Sequence, residues 1–514
     1  MKQATLAIMI ITVLSKVLGF AREMALSYVY GASSVADAYL ISQTIPTVVF
    51  SFVSAGIATG FIPMYSRILS VNGRSEADRY TSNLSNALLL LAALIAFFVL
   101  TLTQPIVKVF ASGFTGETLA LAVRLTRISV FGLFFTGIVN MFTGYLRLHD
   151  NFIVPALVGF PMNLVVILSL VVSARTSIYL LGVGSVAATA SQLLLCVPFL
   201  RKTGYRHGLI LDLEAGYMKE MVLIALPVIA GTAVSEVNIL VDRTLASQIA
   251  VGGISALNYA NRLNGFVQGI FVVSVTTVLY PMISKMAAEG NLRSLKAYLG
   301  EAISMVNLFV IPATVGAMIF ARQVVAFLFA RGAFTPEAVS MTAEALLFYS
   351  LGMTAFGLRN VLTRAFYSLQ DTRTPMINAT IAVITNIVLN ILLSRFLGIG
   401  GLALATSISG IISASLMFIT LRKKIGPFGL KEIAMSFLKI ASASLLMGII
   451  AYNCFDLLRS FTSQNVALMV SIVLGVLAYG VLIYFMRIPE VDRTVASLKR
   501  KILTKAERAK GRED

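Results

Sequence analysis

Apolar runs of about 20 residues recur from one end of the chain to the other, separated by short polar stretches. Each run is long enough to cross the hydrocarbon core of a bilayer as a helix. Their spacing predicts fourteen spans. Six lie near 5–29, 38–65, 82–103, 121–146, 152–173 and 177–200. A second six lie near 219–245, 253–283, 299–320, 338–366, 375–396 and 399–421, and two more near 433–455 and 465–487. The expected fold is an all-α polytopic membrane protein. It divides into an N-lobe over 1–203, a C-lobe over 204–424, a helix pair within 425–488 and a basic tail over 489–514.

The two sets of six look like copies. Residues 61–68 read FIPMYSRI and residues 279–286 read LYPMISKM, each closing the second span of its set. Residues 146–155 read LRLHDNFIVP and residues 367–375 read YSLQDTRTP, each joining a fourth span to a fifth. An even number of spans per copy gives both the same topology, so an axis along the membrane normal should relate them, as in transporters with parallel repeats.

Composition agrees with the pattern. Of 514 residues 58% are hydrophobic and 12% charged, against about 25% charged in an average soluble protein. The net charge of +18 would suit nucleic acid, but its placement argues against that partner. With the N-terminus inside, seventeen Lys and Arg fall in inside loops and six in outside loops. Nine more lie in the tail from Arg487 onward. Cytoplasmic loops of membrane proteins carry this excess, so both termini are expected in the cytoplasm. The tail reads as a basic helix lying on the anionic inner leaflet. The N-terminal stretch has no A-x-A-like cleavage site and continues past Arg22, so it reads as an uncleaved first span. Cys196 and Cys454 sit in separate spans and read as small core residues.

Charges inside the spans carry the candidate chemistry. The first span holds Lys16, Arg22 and Glu23, and the eighth holds Arg262 among Asn258, Asn261 and Asn264. A charge at the bilayer centre costs about 2.5–3.5 kcal/mol on insertion scales, so each needs a partner or an aqueous cavity. Lys16 and Glu23, seven apart, share a helix face, while Arg22 is rotated by about 100° from Glu23. Asp37 opens the second span and reads either as a partner of Arg22 or Lys16 or as an N-terminal acid of its helix. Repeated basic charge points to a cavity for an anion, and guanidinium geometry suits phosphate. The plainer alternative is a Lys/Glu/Arg network that ties helices together.

A second group is rich in oxygen: Asp242 with Glu236 in the seventh span, Asn386 and Asn390 in the eleventh, and Thr406 in the twelfth. Such donors suit a hard cation. Hydrogen bonding between helices is the alternative, and Arg243 stands beside Asp242 to neutralise it. Arg124, Arg127, Arg359 and Arg364 lie nearer span ends, where snorkelling accounts for them. The sequence contains no HExxH, GxxxxGK[ST] or GxSxG, and GVGSVA (182–187) and GIGGLALATS (398–407) do not follow strands. No enzyme is expected. No cofactor is expected beyond coupling by Na+ or H+ and the membrane potential.

The sequence resembles the MurJ (MviN) family of lipid II flippases, within the multidrug/oligosaccharidyl-lipid/polysaccharide exporter superfamily to which MATE transporters belong. The resemblance rests on SKVLGFARE, ADAYLISQTIP, NYANRLNGF and AFYSLQDTRTP, and extends over nearly the whole chain. It implies a MATE-like carrier in the bacterial cytoplasmic membrane. Such a carrier moves an undecaprenyl-pyrophosphate-linked peptidoglycan precursor from the inner to the outer leaflet, through a cationic cavity between two lobes. Lys16, Arg22, Glu23, Asp37 and Arg262 match the family's substrate-site positions, and the last two spans match its groove for the lipid tail. One departure stands out. Many members have an arginine and an acidic A-E-G segment in the second span, where this chain reads VVFSFVSAGIATGF. That leaves room for another polyprenyl-linked glycan. A non-transporting scaffold that recruits cell-wall synthesis proteins is the alternative of a different class.

Overall fold

The computed structural model describes residues 2–486, and the basic tail lies outside them. Among the described residues the chain is helical, with no strand. It forms two compact units: residues up to Tyr259 with Leu328–Val339, and Ala260–Phe327 with residues from Ser340 onward.

The first unit is built from α1 (Lys2–Tyr30), α2 (Ser34–Asn72), α3 (Arg74–Thr101), α4 (Thr103–Phe110), α5 (Gly116–Ser129), α6 (Leu133–Leu148), α7 (Ile153–Leu157), α8 (Gly159–Ser173), α9 (Leu180–Lys202) and α10 (Gly216–Ile249), with the start of α11 (Gly253–Val267). Ser33 starts α2 by accepting the Ala36 N–H at 3.3 Å, which satisfies one of the donors a helix start leaves open. Its core is aromatic as well as aliphatic: Phe61, Tyr65, Tyr80, Met141, Tyr145 and Leu200 pack together.

The second unit holds the rest of α11, then α12 (Val273–Ala288), α13 (Leu292–Ile319), α14 (Ala321–Phe329, up to Phe327), most of α15 (Pro336–Ser368), α16 (Arg373–Ile425), α17 (Leu430–Leu458) and α18 (Gln464–Phe485). A five-residue π-helical stretch, Gln268–Val272, joins α11 to α12. The last two helices pack on α13 through Leu308, Ile311, Ile440, Met447 and Tyr479, and the Tyr479 hydroxyl donates to the Leu308 carbonyl at 2.7 Å.

Eleven helices or joined helix pairs among the described residues are long and apolar enough to cross a membrane, and twelve with the bent pair Gly216–Ile229 and Gly231–Ile249. The multi-pass architecture is as expected, while the count of fourteen is not reproduced. One reason is α16, whose 53 residues run through a non-helical Gly398 and so join the eleventh and twelfth expected spans. Another is that α1, with its internal charges, is not among the eleven.

The internal repeat is visible in backbone geometry. Asp150 and Gln370 are the two non-glycine residues with positive φ among the described residues, at 56° and 57°. A left-handed residue other than glycine costs about 1–2 kcal/mol, so matched instances mark matched loops. Asn151 N–H donates to the Leu146 carbonyl and Asp371 N–H to that of Phe366, both at 2.9 Å. The side chains of Asn151 and Asp371 then accept from Val154 N–H (3.2 Å) and Thr374 N–H (2.9 Å), starting the next helix. Every position in one loop has its counterpart 220 residues later (150 and 370, 151 and 371, 146 and 366).

The first unit also interleaves the two copies. A Cβ on Gly332 would come within 2.1 Å of the Tyr28 carbonyl oxygen at the end of α1. A Cβ on Gly113 would come equally close to that of Ser247 at the end of α10. Each copy's first helix therefore ends against a loop of the other copy, and only glycine permits the approach.

Candidate functional site

Each candidate side chain inside α1 has a defined setting. Arg22 Nη2 lies 2.8 Å from Glu23 Oε1, and the side chains are 21% and 5% exposed. The second carboxylate oxygen of Glu23 accepts from Asn258 Nδ2 at 3.1 Å, which ties α1 to the start of α11. Glu23 thus offsets the cost of holding Arg22 in a span. It engages the guanidinium through Nη2, and an arginine has five N–H donors, so capacity to bind an anion remains. Lys16 is exposed, two turns nearer the N-terminus of α1. The sequence placed Glu23 on the Lys16 face and Arg22 off it, yet the ion pair forms between the adjacent residues because the long arginine side chain reaches around the helix.

Asp37 is buried, 1% exposed, and its contacts resolve the two readings of it. Ser33 caps α2, while Asp37 caps α11. Its Oδ2 accepts from Gly252 N–H at 2.8 Å, and its Oδ1 accepts from Ser255 N–H and Oγ, both at 2.7 Å. A carboxylate at a helix N-terminus satisfies orphan donors and complements the dipole. The partners of Asp37 are therefore two backbone N–H groups and the Ser255 hydroxyl, where the sequence suggested Arg22 or Lys16, and it also stands in the first turn of α2, as its other reading expected.

The hydrophilic stripe of α11 splits. Asn258 and Asn264 are buried, whereas Asn261 and Arg262 are exposed. Arg262 belongs to the second unit, and Lys16, Arg22, Glu23 and Asp37 to the first.

The oxygen-rich group divides as well. Asn386 Nδ2 donates to Thr406 Oγ1 at 3.2 Å and Ser409 Oγ at 3.4 Å, and Asn390 Nδ2 donates to Asn386 Oδ1 at 2.8 Å. Inter-span hydrogen bonding accounts for this trio. Asp242 lies in the first unit, on α10, and the trio in the second, on α16. Arg243 donates to the Ile254 carbonyl at 3.1 Å. Among the described residues no group of three or more His, Cys, Asp or Glu is placed to hold a metal ion. Three of the four outlying arginines lie over aromatic rings, Arg124 on Tyr179, Arg359 on Phe356 and Arg364 on Tyr280, while Arg127 Nε donates to Thr103 Oγ1 at 3.4 Å.

Two groupings escaped the sequence. Asp78 Oδ1 accepts from Tyr65 at 3.3 Å and Tyr145 at 2.9 Å, and its Oδ2 is 3.6 Å from Arg74. The polar triplet Ser82, Asn83 and Asn86 binds the linker that follows α9. The signal for the triplet is present in TSNLSNA, where polar residues at i, i+1 and i+4 make one stripe on a helix about to become apolar. In that linker His207 stands between Tyr205 (3.2 Å) and Asn86 (3.0 Å), and burial lowers its pKa, favouring the neutral ring.

Known proteins share this architecture. One solved structure, described as "Lipid II flippase MurJ, inward closed conformation", matches with a TM-score of 0.81 at 26% identity, covering 93% of this chain and 98% of that one. An inward-facing multidrug resistance MATE transporter shares the fold, with a TM-score of 0.67 at 14% identity over 82% of this chain and 98% of its own. The probable lipid II flippase MurJ of Thermotoga maritima is 29% identical over 95% of this chain and 97% of its own length. That of Buchnera aphidicola is 27% identical over 90% and 92%. The family model described as "Lipid II flippase MurJ" matches residues 26–480. With that match spanning most of the sequence, the chain belongs to the MurJ family.

Proposed function

We propose that this protein is a lipid II flippase, moving the undecaprenyl-pyrophosphate-linked precursor of peptidoglycan from the inner to the outer leaflet of the bacterial cytoplasmic membrane. The observation that carries this reading is likeness to a MurJ structure over 93% of the chain, joined to a family match over residues 26–480. The reading makes the protein a transporter, with no chemical step to catalyse.

The physics of the cargo explains the charges. A pyrophosphate bears at least two negative charges, and its sugars are strongly hydrated, so passage through hydrocarbon is prohibitive. In this reading Arg22 and Lys16 substitute for water around the pyrophosphate, and Glu23 holds Arg22 charged and oriented. Arg262, in the second unit, offers an anion a guanidinium of its own. Asp37 serves the site through the helix start it caps. The inside-negative potential favours outward movement of an anion by about 2.3 kcal/mol per charge per 100 mV. A Na+ or H+ at Asp242 would reset the carrier, with both termini on the cytoplasmic side.

The test is depletion in the native cell followed by a leaflet-accessibility assay for lipid II, with complementation by Arg22→Ala and Arg262→Ala at equal membrane abundance. Lipid II held on the inner leaflet and released by the parent but by neither variant supports the assignment. Normal lipid II exposure after depletion, in a strain with no second flippase, refutes it. The uncharged second span would then direct attention to another polyprenyl-linked glycan.

A further inference from the structure

The linker between α9 and α10 presents three leucines on a segment held against α3. Gly208 N–H donates to Ser82 Oγ at 3.2 Å, and Asn86 Nδ2 donates to the carbonyls of Gly208 (2.9 Å) and Ile210 (2.7 Å). Asn83 exchanges two bonds with the Asp212 backbone, each at 2.7 Å. Backbone groups of 208, 210 and 212 are thus held by α3. The side chains of 209, 211 and 213, between these holds, are left exposed. Leu209, Leu211 and Leu213 are 95%, 52% and 53% exposed. Both ends of the segment are pinned. Tyr205, buried, shares a 3.0 Å hydrogen bond with Ser82, and Asp212 Oδ1 accepts from Glu214 and Ala215 N–H at 3.1 Å, turning the chain into α10.

Leaving a leucine in water where it could be buried is unfavourable. A linker clamped this firmly cannot fold its leucines away. Its depth supplies the reason for them. The clamp residues 82, 83 and 86 sit where α3 passes from polar RSEADRYTSN to apolar LLLLAALIAFF, the level of a membrane–water boundary. Arg201, Lys202 and Arg206, all exposed, flank the segment. Apolar side chains beside basic ones are the composition of an interfacial anchor, and a surface of anionic lipid attracts nearby Lys and Arg.

We propose that residues 205–214 form a membrane-interface anchor, with Leu209, Leu211 and Leu213 entering the acyl boundary and Arg201, Lys202 and Arg206 on anionic headgroups. The chain has no tryptophan, so Leu211→Trp installs a single reporter. It is placed in vesicles of phosphatidylethanolamine and phosphatidylglycerol, with and without acyl-brominated lipid, beside Val71→Trp, an exposed position at the end of α2. Loss of Leu211→Trp emission to brominated lipid, a blue-shifted maximum and shielding from iodide relative to Val71→Trp are expected. Changing Arg201, Lys202 and Arg206 to Gln in the same background should reduce the bromine quenching to the level seen in phosphatidylcholine vesicles. Equal iodide quenching at the two positions, in protein whose thermal midpoint is unchanged, overturns the anchor and leaves the exposed leucines as a site for a partner peptide. Bromine quenching indifferent to headgroup charge overturns the role of the three basic residues.

Discussion

Replacing Asp37 separates a structural role from a direct one. The carboxylate receives two backbone N–H groups, from Gly252 and Ser255, and one hydroxyl. Removing it in Asp37→Ala strands both N–H groups in a buried site, while Ser255 Oγ keeps the Gly252 carbonyl at 3.1 Å. A buried donor left unmatched costs about 1–3 kcal/mol, so the pair amounts to about 2–6 kcal/mol. Asp37→Asn keeps one acceptor oxygen but turns an NH2 toward the other donor, and should fall between parent and Ala. The two cysteines provide the assay, because Cys196 is buried and Cys454 half-buried, and a thiol-reactive fluorophore in detergent reports their exposure on heating. At about 2–4 °C per kcal/mol for a domain of 150–250 residues, Asp37→Ala should lower the midpoint by about 5 °C or more. Scans must share one rate, since unfolding of such proteins is commonly irreversible. Leu94→Ala, at an exposed position in the apolar part of α3, serves as the unchanged control. A midpoint for Asp37→Ala equal to the parent's, with flipping abolished, would refute the capping argument and return Asp37 to the list of direct anion-site residues.

Other expectations follow from single contacts. Gly332→Ala and Gly113→Ala should each fail to reach normal membrane abundance or lose several degrees in the same thiol assay, since each Cβ meets a carbonyl oxygen at 2.1 Å. Asn386→Leu should lower the midpoint modestly, by a loss on the order of 1 kcal/mol typical of hydrogen bonds between spans. If the trio only joins spans, Asn386→Leu should also leave any Na+ dependence of transport intact, and loss of that dependence would restore it as a cation site. Asp371 is held down to about 2, first by Lys424 Nζ at 2.6 Å and then by Thr374. Because the ionised form is favoured when folded, this contribution is full above the ordinary carboxylate value of about 3.9 and fades as pH falls through about 2. Lys424→Met should therefore be less stable than the parent at neutral pH, with the two midpoints converging toward pH 2. A constant gap across that range would contradict it.

The apolar pattern made the spans legible but not their ends. The second span reads as 38–65, whereas α2 runs from Ser34 to Asn72, because helix propensity outlasts the hydrocarbon and hydropathy marks only the latter. The repeat was legible as words at 146–155 and 367–375, and the matched left-handed residues are its geometric form. The charges of α1 and the acid that opens α2 stood out at once. Their partners did not: Asn258 is 235 residues from Glu23 and Ser255 is 218 from Asp37, distances at which no local pattern survives. For the oxygen-rich group the sequence showed donor chemistry but not the bonds it makes: Asn386 donates to Thr406 and Ser409, 20 and 23 residues further on.

The interleaving of the two copies sets a clock on biosynthesis. Asp37 enters the membrane with its helix long before the residues that satisfy it exist, since Gly252 and Ser255 are 215 and 218 positions downstream. Tyr28 waits still longer for the loop at Ala333, whose N–H its carbonyl accepts at 2.9 Å. At about 5–20 residues per second, a nascent chain holds that carboxylate unmatched for roughly 10–45 s. During that interval the early helices must be sheltered by the insertion machinery or by one another, and completion of the second copy is what locks the first.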